Sequence, residues 1–136
     1  MPRRTEPLLG DDLVDAYRAV VAEVYDSLAR DGFPDLPQAA TTVFRDMDER
    51  GSYLADLAVR SGVPTEHVRE LVGTLAERGY VTVDGDVVTP AERGLQAFAA
   101  GREALRHAEQ RLAQQVGPDR YATFRTVLRK LAQPTG

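Results

Sequence analysis

The 136-residue chain has no cysteine and no tryptophan, two histidines and, at Lys130, its only lysine. Without cysteine there is no disulfide, no thiolate nucleophile, no cysteine-ligated zinc and no thiol redox sensor. No apolar run nears the roughly 18 residues of a membrane span, and Met1-Pro2-Arg3-Arg4 leads into no signal-peptide core. A cytoplasmic address and no membrane partner are expected. A glycine-rich phosphate loop and a Ser–His–Asp order are also missing, so neither enzyme activity nor a cofactor is expected. No internal repeat or low-complexity linker divides the chain.

What is present suits one domain. Apolar residues at 43% can build a single core, and charged residues at 28% can cover it. The net charge of -4 argues against a protein that merely coats nucleic acid. Its distribution is uneven. Residues 1–35 and 36–90 each carry -4, whereas residues 91–136 carry +4, almost all of the basic charge being arginine.

The apolar spacing predicts a long helix over about 12–30, with Asp11-Asp12 as its cap and Leu13, Ala16, Tyr17, Val20, Val21, Val24, Tyr25 and Leu28 on one face. Asp31-Gly32-Phe33-Pro34 ends it. Leu36, Ala39, Ala40, Val43, Phe44 and Met47 form a second helical stripe, closed by Arg50-Gly51. Leu54, Leu57 and Ala58 lie on a short helix that stops at Ser61-Gly62. Pro64-Thr65 opens the next, with Val68, Leu71, Val72 and Leu75 inward and Arg78-Gly79 at its end.

From Tyr80 to Thr89 the period changes. Two β-rich runs flank Asp84-Gly85, a hairpin signal. Thr89 as cap, Pro90 in the first turn and Glu92 predict a new helix to about residue 115, with Leu95, Phe98, Ala99, Leu105, Leu112 and Val116 as its stripe. Gly117-Pro118-Asp119 breaks the chain. A last helix with Tyr121, Phe124, Val127, Leu128 and Leu131 runs out before Pro134.

The expected fold is therefore mainly α with a small β-hairpin wing. Two helices joined by Ser61-Gly62-Val63 read as a helix-turn-helix, and the hairpin after them as the wing. The flanking helices, about 12–35 and 91–133, carry apolar stripes with little to cover in one small domain of about 36–90. Burying them against a second copy predicts a homodimer with a helical interface.

Leu54-Ala55-Asp56-Leu57-Ala58 with Ser61-Gly62-Val63, Val68-Arg69-Glu70-Leu71-Val72 with Leu75 to Val81, and Val88-Thr89-Pro90-Ala91-Glu92-Arg93-Gly94 occur in the order seen in one protein family. With helices at both ends, the chain from about Leu13 to Leu131 resembles the MarR family of bacterial transcription regulators. The resemblance implies one MarR-like domain across 1–136, an obligate dimer and a palindromic double-stranded DNA operator. It also implies release by a small phenolic or other anionic ligand. The wing departs from the family. Family wings are longer and bear an Asp-x-Arg motif, whereas Thr82-Val83-Asp84-Gly85-Asp86-Val87 is short, doubly acidic and free of arginine. A narrow minor groove attracts arginine and repels aspartate, so this wing is expected to add nothing to DNA affinity.

On the recognition helix, about 64–78, the outward positions near the start are Thr65, Glu66, His67, Arg69 and Glu70. Arg69 has the donors for a guanine edge, Thr65 suits a phosphate or a thymine methyl, and Glu66 suits a cytosine amino group. Glu66 and Glu70 also sit where phosphates would pass, and the bland alternative is a solvated helix face with local Glu–Arg pairs. His67 and His107, the latter one turn after Glu103, offer two ligands at most, and no metal site is expected. Tyr17, Tyr25, Phe44, Met47, Tyr53 and Phe98 are candidates for lining a ligand cavity, against the bland reading as core. His107 joins them because the long fifth helix lines the ligand space in the family. Arg102, Arg106, Arg111, Arg120, Arg125, Arg129 and Lys130 can attract an anionic effector, touch DNA flanks or pair with the acidic first helix across the dimer, the favoured use.

Two functions follow. One is a dimeric, ligand-responsive DNA-binding regulator that takes a small anionic or aromatic ligand. The alternative keeps the winged-helix dimer and drops the DNA, leaving a small-molecule-binding, protein-interaction or catalytic protein; an acidic face mimicking DNA is one form of it.

Overall fold

The computed structural model describes Glu6 and residues 8–133; Met1–Arg4 and Pro134, which entered the reading of the two chain ends, lie outside them. The elements run α1 Leu9–Arg30, α2 Ala40–Asp46, β1 Ser52–Tyr53, α3 Leu54–Ser61, α4 Thr65–Glu77, β2 Val81–Asp84, β3 Val87–Pro90, α5 Glu92–Val116 and α6 Pro118–Ala132. The fold class expected from the periodicity is the one observed, and several boundaries move for local reasons.

Helix α1 starts earlier than Asp11-Asp12 predicts. Asp11 sits inside the first turn, where its carboxylate accepts the Leu8 N–H at 3.0 Å and complements the helix dipole. The Leu36–Met47 stripe is helical only from Ala40. Pro37 disfavours helix at Leu36, and the Ala40 N–H donates instead to the Pro37 carbonyl. Thr89 and Pro90 do not cap α5. They remain in β3, opposite Thr82 and Val81 of β2, and the Ala91 N–H donates to the Tyr80 carbonyl at 2.9 Å.

The sheet is three-stranded and antiparallel in the order β1-β3-β2. In the β2–β3 hairpin Asp84 still pairs with Val87, so the loop is Gly85-Asp86 rather than Asp84-Gly85. Gly85 has φ +61°, and no residue other than glycine has positive φ among the described residues, which is the placement of a type II′ turn. Strand β1, not predicted, pairs Ser52 with Val88 and Tyr53 with Val87. Two residues are too few to show alternation, so their strand state is conferred by β3.

The core lies where α2, α3, α4, the sheet and the start of α5 meet. Tyr80, Leu57, Leu75, Val43, Val68 and Val88 are its largest fully buried side chains. The buried side of α5 is not the predicted Leu95–Val116 stripe. It is a row of small residues, Gly94, Ala97, Ala104 and Ala108, and Leu95 and Leu105 are each 40% exposed. Small residues let α1 approach α5 closely, and Leu28 of α1 reaches Gly101. The acidic N-terminal and basic C-terminal segments, expected to pair across a dimer, meet here within one chain: Arg111 of α5 donates to Glu23 of α1 at 3.1 and 2.5 Å.

Two carboxylates are held below their ordinary range. The Arg111 hydrogen bonds lower Glu23, and a hydrogen bond from Tyr80, aided by the Arg93 charge, lowers Asp35. The unfolded chain therefore binds these protons more tightly. The stabilisation is complete above the ordinary carboxylate value of about 4 and is lost as pH falls through the lower folded values. Thermal melts should show the midpoint falling below about pH 4, and Asp35→Asn should flatten that limb; an unchanged limb would remove Asp35 from the account.

Candidate nucleic-acid interface and ligand pocket

Helix α4 stands on Val68, Val72 and Leu75, all buried, and turns Thr65, Glu66, His67, Arg69 and Glu70 outward to solvent. All five predicted positions are thus brought to one exposed stretch. Helix α3 packs against α4 across Ser61-Gly62-Val63, where the Ser61 hydroxyl accepts the Val63 N–H at 3.2 Å. Along α4 the Arg69 Nε lies 3.8 Å from a Glu66 oxygen, with both side chains exposed. This is the local pair expected on the bland reading, and it is a weak one that water and salt screen. The wing projects Asp84 and Asp86 exposed beside exposed Val83.

A cavity of about 170 Å³ opens between α2 and α5. Phe44, Met47, Leu95 and Phe98 give it apolar walls, and Pro90, Gly94, Glu49 and Arg102 stand among its lining residues. The Arg102 guanidinium lies over the Phe98 ring, 5.4 Å from its centroid, one helical turn apart on α5. Such a site offers an apolar slot with one cation for an anion and one carboxylate in its lining.

Of the predicted pocket residues, Phe44, Met47 and Phe98 meet here. Tyr17 and Tyr53 are exposed on α1 and β1. Tyr25 is partly buried against α2, its hydroxyl 2.9 Å from Thr41 Oγ1, and burial pushes its pKa up. His107 is exposed on α5, 3.3 Å from Glu103. Among the described residues no group of three or more acidic or histidine side chains gathers as a metal site. No described helix is long and apolar enough to cross a membrane. Sequence reasoning counted Arg102 only among the basic C-terminal residues, although its spacing from Phe98 was a legible signal.

A second cluster lies at the root of the wing. The Tyr80 hydroxyl donates to Asp35 Oδ1 at 2.5 Å, and Arg93 Nη2 donates to the same oxygen at 2.9 Å. Arg93 Nη1 donates to the Arg78 carbonyl at 3.0 Å, and Arg78 donates to the Asp35 carbonyl. The Arg93 guanidinium also covers the Tyr80 ring, 4.5 Å from its centroid. Burial, then the bond to the Asp35 carboxylate, pushes Tyr80 up to about 12. None of these four residues was singled out as a functional candidate.

No protein-family model matches the sequence, nor does any curated protein. Solved structures do match. The transcriptional repressor CouR, bound to p-coumaroyl-CoA, superposes with a TM-score of 0.71 at 19% identity, covering 94% of each chain. A MarR family protein of Mycobacterium tuberculosis in complex with DNA gives 0.69 at 21% identity, over 94% of this chain and 100% of that one. The same mycobacterial protein in complex with p-aminosalicylic acid gives 0.68 at 20% identity, over 93% of this chain and 100% of that one. At these identities the likeness is one of fold, extends over nearly the whole chain, and agrees with the helix-turn-helix, wing and flanking helices described above: the chain has a MarR-type winged-helix fold.

Proposed function

We propose that the protein is a dimeric, ligand-responsive transcriptional regulator that places α4 in the major groove of a palindromic operator. The carrying observation is the exposed row Thr65, Glu66, His67, Arg69 and Glu70 on a helix anchored from behind. The fold's likeness to a MarR family protein solved on DNA supports it. Segments 12–35 and 91–133 serve as dimerisation helices around a 36–90 winged domain, with half-sites about one helical turn apart. The protein is non-enzymatic on this reading and works in the cytoplasm, where its DNA is.

Selection of fragmented genomic DNA on the purified protein, at low and near-physiological salt, tests the reading. One palindromic site surviving the higher salt is the expected outcome; salt-sensitive retention alone overturns it. Arg69→Ala should weaken the selected site by about 1–3 kcal/mol and relax base preference at one position per half-site. Equal loss on random duplexes would reduce Arg69 to a phosphate contact.

The Phe44–Phe98 cavity is the effector site on this reading, and its ligand is a small aromatic or apolar molecule bearing an anionic group that pairs with Arg102. The walls and the cation support that class, as do structural relatives bound to p-coumaroyl-CoA and p-aminosalicylic acid. Arg102→Met should weaken salicylate by about 10- to 100-fold in calorimetry, the range for losing a hydrogen bond between charged groups. Unchanged affinity would place the anion elsewhere.

One observation favours the DNA-free alternative. Asp84 and Asp86 at the exposed wing tip, with Glu66 and Glu70 on α4, present acids where phosphates would lie. The genomic selection decides between the two.

A further inference from the structure

The wing-root cluster joins three segments that otherwise belong to different parts of the fold. Asp35 lies on the loop between α1 and α2, Arg78 and Tyr80 follow α4 into β2, and Arg93 is in the first turn of α5. Both walls of the cavity are therefore represented. Phe44 and Met47 follow Asp35 through a turn in which Leu36 is buried and the Ala40 N–H is bonded to the Pro37 carbonyl. Gly94 and Leu95 follow Arg93 directly, and Gly94 lines the cavity.

The contact between α5 and the wing root has no slack. A Cβ on Gly94 would stand 2.1 Å from the Tyr80 carbonyl oxygen and 3.6 Å from Phe44 Cε1. That same oxygen takes the Ala91 N–H, and the Tyr80 N–H donates back to Leu75 in the last turn of α4. Arg93 completes the circuit by holding the Arg78 carbonyl at the C-cap of α4. A change in the separation of α2 and α5 that is carried back through the turn to Asp35 would stretch the Asp35–Arg93 pair, the Tyr80–Asp35 bond or both.

We propose that Asp35, Arg78, Tyr80 and Arg93 form a latch through which the state of the α2–α5 cavity reaches the C-terminal end of α4 and the root of the wing. The latch deepens the reading of that cavity as an effector site and rests on it for its biological meaning. Its physical content is separate: a contiguous network of hydrogen bonds from the start of α5 to the end of α4, whose coupling is measurable without DNA or ligand.

The test alters the cavity at Leu95, which lines it and is 40% exposed, and reads amide exchange of the full chain at Arg78, Gly79 and Tyr80. Leu95→Ala enlarges the cavity and Leu95→Trp fills it. Each should change exchange at these three amides by about 2- to 30-fold, the span of coupling along packed networks. Exchange in the first turn of α4 should not follow. In a Tyr80→Phe background, which keeps the ring and deletes the bond to Asp35, the change should fall below about twofold. Asp35→Asn, checked for fold by circular dichroism, provides the second background should Tyr80→Phe melt the domain.

Unmoved exchange in the native chain, or the same change in both latch backgrounds, overturns the proposal. A salicylate titration on the native chain separates the two ideas. Exchange coupling without any binding would leave the latch standing and sink the effector reading; binding without coupling would do the reverse.

Discussion

Gly94→Ala is expected to destabilise the fold more than any other single methyl group added to this chain, by about 3 kcal/mol. The added Cβ would meet the Tyr80 carbonyl oxygen at 2.1 Å and its carbon at 3.1 Å. Both are backbone atoms, so no rotamer change relieves the contact. The start of α5 would have to lift off the sheet, loosening the Ala91–Tyr80 hydrogen bond and the Phe44 contact with it. In a thermal melt the midpoint should drop by about 10 °C at matched protein concentration.

Gly73→Ala is the matched control. It lies in the interior of α4 with open space where its Cβ would stand, so it gains helix propensity and should raise stability by up to about 1 kcal/mol. Equal behaviour of the two variants would show that the α5–Tyr80 approach is not tight in solution.

The second large effect concerns the surfaces a single chain leaves bare. Helix α6 has no buried residue, and Phe124, Val127 and Leu131 are 53%, 51% and 58% exposed along one face. An isolated helix of about 15 residues is marginal in water, so packing chiefly on α5 is a thin support. At the other end Leu9, Leu13, Val14 and Tyr17 are also exposed. Covering such faces with a second copy removes them from water together.

The double variant Phe124→Asp/Val127→Asp places two carboxylates on that face, each costly to bury unpaired against a second copy. Sedimentation should show monomers at micromolar concentration for the variant and dimers for the native chain. Affinity for the selected palindrome should fall by about 100-fold or more, because the second half-site is no longer tethered to the first. A variant that sediments as the native chain does would take α6 out of the interface.

Much of this architecture was legible in the residues. The inward faces of α3 and α4 repeat every three to four positions, and Ser61-Gly62 and Arg78-Gly79 punctuate them where the helices end. Local chemistry decides these features, so a local reading finds them. The same local reading misplaced ends. Thr89-Pro90 carries a cap signature, yet strand pairing with β2 holds it, because ladder bonds along β3 outweigh one side-chain cap.

The candidate site divides in the same way. Thr65 to Glu70 face outward because Val68 and Val72 face inward, a relation written in the sequence of one helix. The cavity required distant partners: Phe44 and Met47 come to line one space with Phe98 and Arg102 only when the domain folds. The latch is more distant still. Tyr80 and Arg93 reach Asp35 across 45 and 58 residues, and none of the three carries a signal in its neighbours.

Sequence alone determined the helix-turn-helix, the hairpin and the outward row of α4, since periodicity and turn residues act over a few positions. Tertiary structure decided that α5 buries its small residues rather than its large ones. Close approach to the Tyr80 carbonyl leaves no room for a side chain at Gly94, and Ala97, Ala104 and Ala108 are the α5 residues buried beyond it. Which face of a helix is buried depends on how near its neighbour must come, and that distance is set by the fold as a whole.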